Sequence, residues 1–116
     1  MSSRTEMRAK AFPIDTLLKR YQNFVDSGVS LDPDNADQRK LLACMGLAGE
    51  TGEVIEHIKK QAFHGKYLDR GEVILELGDV FWYYTLLLRT MNITLDEVVA
   101  GNVAKLKARH PGRHGA

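Results

Sequence analysis

Cysteine is almost missing from this chain: Cys44 is the only one in 116 residues. An intramolecular disulfide is therefore impossible, and a cysteine inside an apolar run reads as a buried small hydrophobe in a cytoplasmic protein. A surplus of one charge sign is missing too, with 16 Lys and Arg against 15 Asp and Glu. Binding to a phosphate backbone calls for a basic excess, so no nucleic-acid partner is expected. No apolar stretch approaches the roughly 20 residues of a membrane span, and the opening MSSRTEMRAK has no apolar centre of a secretory signal. No membrane contact is expected. Alternating strand patterns, internal repeats and low-complexity tracts are also absent.

What is present is helical periodicity. With 44% apolar residues the chain suffices for one compact domain, read as 1–116 with 1–12 and 112–116 as loose ends. After Pro13, residues Ile14, Leu17, Leu18, Tyr21, Phe24 and Val25 recur at helical spacing and predict a helix over about 14–27. Gly28 and the segment from Ser30 to Asp34 interrupt it, and a long second helix is expected from about Asn35 to His64, weakened locally by Gly46, Gly49 and Gly52. A third spans about 70–91 and closes at Asn92-Ile93. Thr94 followed by Glu97 has the form of a capping box that opens a fourth helix, ending near His110-Pro111. The fold class is all-α with about four helices.

Several familiar constellations fail on their own chemistry. The glycines from Gly46 to Gly52 lack the Lys-Ser/Thr that completes a phosphate-cradling loop, and Glu50 stands where phosphate would be repelled. Asp32 and Asp34 begin like a calcium loop, but Asp37 takes the place of its turn glycine and Ala43 that of its final glutamate. No Glu-x-x-His or His-Glu-x-x-His pair is present.

The acidic residues form a pattern of their own. Glu50 and Glu53 lie three apart on the second helix, and Glu76 and Asp79 three apart on the third, so each pair shares a helix face. Such acids are ordinarily the solvated side of an amphipathic helix. Here Glu72, Glu76, Asp79 and Tyr83 fall in a stripe about 60° wide. Val73, Leu77, Val80, Tyr84 and Leu87 flank it on one side, Leu75, Trp82 and Leu86 on the other. The solvent side is then expected around Gly71, Gly78, Thr85 and Arg89, and the acids are expected to point into a covered cleft. On the second helix Glu50, Glu53 and His57 line up beside Leu47, Val54 and Ile58, with Gly46 leaving room in front. Desolvated carboxylates repel one another unless a cation neutralises them. Oxygen donors without cysteine or a histidine at ligand spacing suit a hard ion, Mg²⁺ or Mn²⁺. On the fourth helix Asn102, Lys105 and Arg109 share a face beside Leu95, Val98 and Leu106. An anionic substrate bridging metal and cations accounts for both stripes.

In these residues the chain resembles the MazG-like nucleotide pyrophosphohydrolases, whose motif is two carboxylates three apart, a spacer, then Glu-x-x-Asp. The matching segments are Gly49-Glu50-Thr51-Gly52-Glu53-Val54 and Glu76-Leu77-Gly78-Asp79-Val80. Tyr21-Gln22, Ile58-Lys59-Lys60, Trp82-Tyr83 and the run from Asn102 to Arg109 extend the likeness. Gly49 stands where some members carry a further glutamate, leaving one ligand fewer on that helix.

The resemblance implies a helical bundle completed by homo-oligomerisation, as homodimer or homotetramer. It implies Mg²⁺-dependent cleavage of a nucleoside or deoxynucleoside triphosphate to monophosphate and pyrophosphate, a reaction suited to cleansing nucleotide pools. Glu50, Glu53, Glu76 and Asp79 would hold the metal, and Glu50 or Glu53 would orient the attacking water. Lys60, Lys105 and Arg109 would balance the leaving charge beside Asn102, with Tyr83, Trp82 and His57 near the base and Glu72 as an outer partner of the metal site. Two alternatives stand beside this: a non-catalytic helical oligomerisation or adaptor module with a structural metal, and a related pyrophosphatase acting on phosphoribosyl-ATP or a deoxyuridine nucleotide.

Overall fold

A computed structural model describes residues 13–112. Apart from Gly112, the ends expected to be loose lie outside the described residues. Among the described residues the regular elements are four α-helices and one short 3₁₀ turn, and there is no strand. The fold is all-α, as the periodicity predicts. Among the described residues no helix is long and apolar enough to cross a membrane.

Backbone proximity divides the described residues into two compact units, 13–30 and 31–112. In the first, helix α1 covers Ile14–Ser27, the predicted span. Pro13 precedes its first turn, where the ring's fixed φ suits a helix start, and its carbonyl accepts the Leu17 N–H at 3.0 Å. Val25 is the buried residue of this helix.

In the second unit the Asp32 carboxylate accepts the Asp34 N–H at 3.0 Å and opens the 3₁₀ turn Pro33–Asn35. Helix α2, Ala36–His64, follows for 29 residues, about 43 Å at the α-helical rise. It runs unbroken through Gly46, Gly49 and Gly52, because packing against a neighbouring helix outweighs the weak propensity of glycine. It ends at Gly65, whose φ of 61° is the left-handed conformation that only glycine adopts without cost. Beyond it the Lys66 N–H donates to the Lys60 carbonyl at 3.2 Å. The Asp69 carboxylate then accepts the Glu72 N–H at 3.2 Å and caps helix α3, Arg70–Met91. Helix α4, Leu95–Arg109, begins with the expected reciprocal box: the Glu97 N–H donates to Thr94 Oγ1 at 3.2 Å, and the Thr94 N–H donates to Glu97 Oε2 at 2.7 Å.

The short link after Gly65 folds α3 back on α2 as an antiparallel hairpin, the principal helix pairing of this unit. Its most enclosed level holds Ala43 and Leu86, both fully buried, with Arg39 and Thr85. Two expectations are corrected here. Thr85, assigned by projection to the solvent side, is only 5% exposed because it lies at this enclosed level. Cys44 is exposed rather than buried, since the face of α2 it shares with Leu41 and Met45 is uncovered in the single chain. The apolar walls beside the acids are likewise incomplete: Val73, Val80 and Trp82 are half-buried, while Leu77 is exposed and Leu75 is 71% exposed.

Candidate metal centre

The hairpin register brings the acidic pairs together. Gly46 of α2 faces Tyr83 of α3, Glu50 faces Glu76 and Asp79, and His57 faces Glu72 and Glu76. Each residue of the trio Glu50, Glu76 and Asp79 offers a carboxylate oxygen within 4.8 Å of the others. The i, i+3 spacing aims Glu76 and Asp79 at one spot from α3, and the antiparallel partner supplies Glu50 from across the interface. Glu50 and Glu76 are half-buried and Asp79 is exposed, so the trio lies in a partly open cleft rather than a fully covered one.

The electrostatic consequence falls on Glu50. Partial burial, then the charges of Asp79 and Glu76, a hydrogen bond with Glu76 and the charge of Glu53 together push its carboxyl above the usual glutamate range. A divalent ion relieves the same repulsion, and an all-carboxylate donor set fits a hard ion of the Mg²⁺ or Mn²⁺ kind.

A cleft of about 370 Å³ adjoins the trio, lined by Glu50, Asp79, Trp82 and Tyr83. The Trp82 and Tyr83 rings meet edge to face, 5.2 Å between centroids at 83°. The room expected in front of Gly46 is filled by the Tyr83 ring: a Cβ at residue 46 would fall 2.2 Å from Tyr83 Cε1. Gly46 is the bare stretch of backbone on which this ring rests.

The remaining sequence-derived candidates lie elsewhere. Glu53 is exposed and stands outside the close trio, although its charge still reaches Glu50. Lys60 is exposed, as are Asn102, Lys105 and Arg109 on α4. Trp82, read beside Tyr83 as a residue near the base, is half-buried and forms a wall of the cleft. One feature escaped the sequence reading: His57, placed near a base, instead stands between Glu72 and Glu76, with Nδ1 3.8 Å from Glu72 Oε2 and Nε2 3.6 Å from Glu76 Oε1. The signal was available: His57 lies one turn beyond Glu53 on the acidic stripe of α2, and Glu72 one turn before Glu76.

No solved structure matches the chain significantly. A similar protein is the Gene 37 protein of Mycobacterium phage L5, 35% identical over 69 residues, which are 56% of this chain and 60% of that protein. The model of the MazG nucleotide pyrophosphohydrolase domain matches residues 38–114, a stretch that contains both acidic pairs and the whole α2–α3 hairpin. With well over half its length so matched, and with the hairpin carrying the carboxylates, the chain belongs to the MazG nucleotide pyrophosphohydrolase family.

Proposed function

We propose that this protein is a divalent-metal-dependent nucleoside triphosphate pyrophosphohydrolase that releases a nucleoside monophosphate and pyrophosphate. The observation that carries this reading is the Glu50, Glu76 and Asp79 trio at the mouth of an aromatic-walled cleft, inside the stretch matched to the family. Glu50, Glu76 and Asp79 would hold Mg²⁺, with Glu53 at its exposed edge. When bound, the ion would supply Lewis-acid assistance and neutralise phosphate charge.

The chain's own residues account for the rest. Glu53, outside the trio, is free to orient a water and take its proton as the water oxygen bonds to the α-phosphorus. The bond from that phosphorus to the bridging oxygen breaks, and pyrophosphate departs with the electron pair. Trp82 and Tyr83 offer flat apolar surface for a nucleobase beside the acids. Lys60, Lys105 and Arg109 would balance the leaving charge, with Asn102 beside them.

Because the α4 cations are exposed in the single chain, this reading includes a homodimer or homotetramer in which a second copy completes the site. Its support is the amount of large apolar surface left uncovered, including Met45 at 66%, Leu75 at 71% and Phe63 at 79% exposed. Incubating the protein with nucleoside triphosphates and Mg²⁺, and resolving the products by ³¹P NMR, should show pyrophosphate and monophosphate. Stepwise release of inorganic phosphate, or no Mg²⁺-dependent product from any nucleotide, would refute the assignment.

A further inference from the structure

His57 lies on the same face of α2 as Glu50 and Glu53, and its ring reaches across the hairpin to α3. Its side chain is 22% exposed, and each ring nitrogen faces a different carboxylate, Glu72 at 3.8 Å and Glu76 at 3.6 Å. Glu76 is therefore approached from two directions, by the Glu50 carboxyl and by the Nε2 edge of His57. Glutamate has three rotatable side-chain bonds, so a carboxylate that must meet an ion in one orientation loses freedom unless neighbours have already restricted it. Glu72 is 62% exposed and, unlike Glu76, has no place in the close trio.

We infer that His57 is a positioning residue, which holds the Glu76 carboxylate toward Glu50 and Asp79 through its Nε2 edge and so prepares the trio for a divalent ion. This rests on the metal-binding reading of the trio. Groups that restrain a ligand carboxylate or imidazole are as much a part of a metal site as the ligands themselves, and their loss weakens metal affinity about 10- to 100-fold. His57 is neither among the residues lining the cleft nor a member of the trio, and the trio member it faces is Glu76, through which it acts on the site.

The test is Mn²⁺ titration of the full chain, followed by the electron paramagnetic resonance signal of free Mn²⁺ and independent of turnover. Three substitutions separate positioning from packing. Gln places an amide nitrogen where Nε2 stood and can still reach Glu76. Asn places one near Nδ1, short of Glu76. Leu keeps the bulk and has no donor. The expected result is Mn²⁺ affinity within about threefold of wild type for His57→Gln, and at least about tenfold weaker for His57→Asn and His57→Leu. Helicity by circular dichroism should be retained, and Asn provides a polar, soluble check if Leu perturbs folding. Wild-type affinity in the Asn and Leu variants, or a loss in Gln equal to that in Leu, overturns the inference while leaving the metal site standing. A wild-type protein that binds no Mn²⁺ overturns the metal reading and this inference together.

Discussion

Replacing Gly46 by alanine places a methyl group 2.2 Å from Tyr83 Cε1. Carbon atoms in contact sit at about 3.5 Å or more, so the ring has to retreat by about 1.3 Å or the hairpin has to open. Two terms of opposite sign then compete. Alanine in a helix interior is favoured over glycine by about 1 kcal/mol, whereas forcing extra volume into a packed contact costs about 1–3 kcal/mol. The net expectation for Gly46→Ala is a destabilisation of about 0–2 kcal/mol, a fall of a few degrees in melting temperature at about 4 °C per kcal/mol. In a Tyr83→Ala background nothing remains for the methyl group to meet, and the same substitution should stabilise by about 1 kcal/mol. The two effects differ by about 1–3 kcal/mol, a coupling that a thermal or urea double-mutant cycle over the four proteins measures directly. The reasoning fails if Gly46→Ala stabilises equally in both backgrounds, since Tyr83 would then not rest on residue 46.

The raised Glu50 carboxyl predicts a pH dependence in metal-free protein. A group whose folded pKa lies above its unfolded value contributes stability below the unfolded pKa, near about 4.3, and loses it as pH rises through the folded value. Urea titrations should show that decline in the wild type, with Glu50→Gln flattening it and proving the more stable protein at neutral pH; an unchanged slope would remove Glu50 as its source. Mn²⁺ should raise the melting temperature of the wild type and have no such effect on Asp79→Asn, which should keep its helicity and lose turnover. Loss of helicity together with activity would make Asp79 structural instead. On α4, Lys105→Ala should lower kcat/KM by about two orders of magnitude while Lys107→Ala, turned by roughly 160°, changes it little. Equal small effects would mark the helix as packing rather than phosphate-binding.

The helices were legible in the chain because their signals are local. Pro13 before Ile14, Gly65 after His64 and Thr94 with Glu97 act within one turn, so the start of α1, the end of α2 and the start of α4 emerge from spacing and capping chemistry alone. The acidic pairs were legible for the same reason, since a separation of three residues fixes a common helix face whatever surrounds it. Exposure was less legible. Projection placed Thr85 in solvent and an apolar neighbourhood placed Cys44 inside, and the structure reverses both, because burial depends on how many neighbours close around one level of a hairpin.

Local periodicity and capping thus determined an all-α chain with two carboxylate pairs on two helix faces, each of which a single helix can present by itself. Only the tertiary structure decided which of those acids meet. The antiparallel register sets Glu50 against Glu76 and Asp79, leaves Glu53 at the edge, brings His57 to Glu76 and rests Tyr83 on Gly46. The physical reason is that a helix fixes the direction of its side chains through bonds four residues apart, whereas the sliding of one helix along another is set by the summed packing of many contacts along their length.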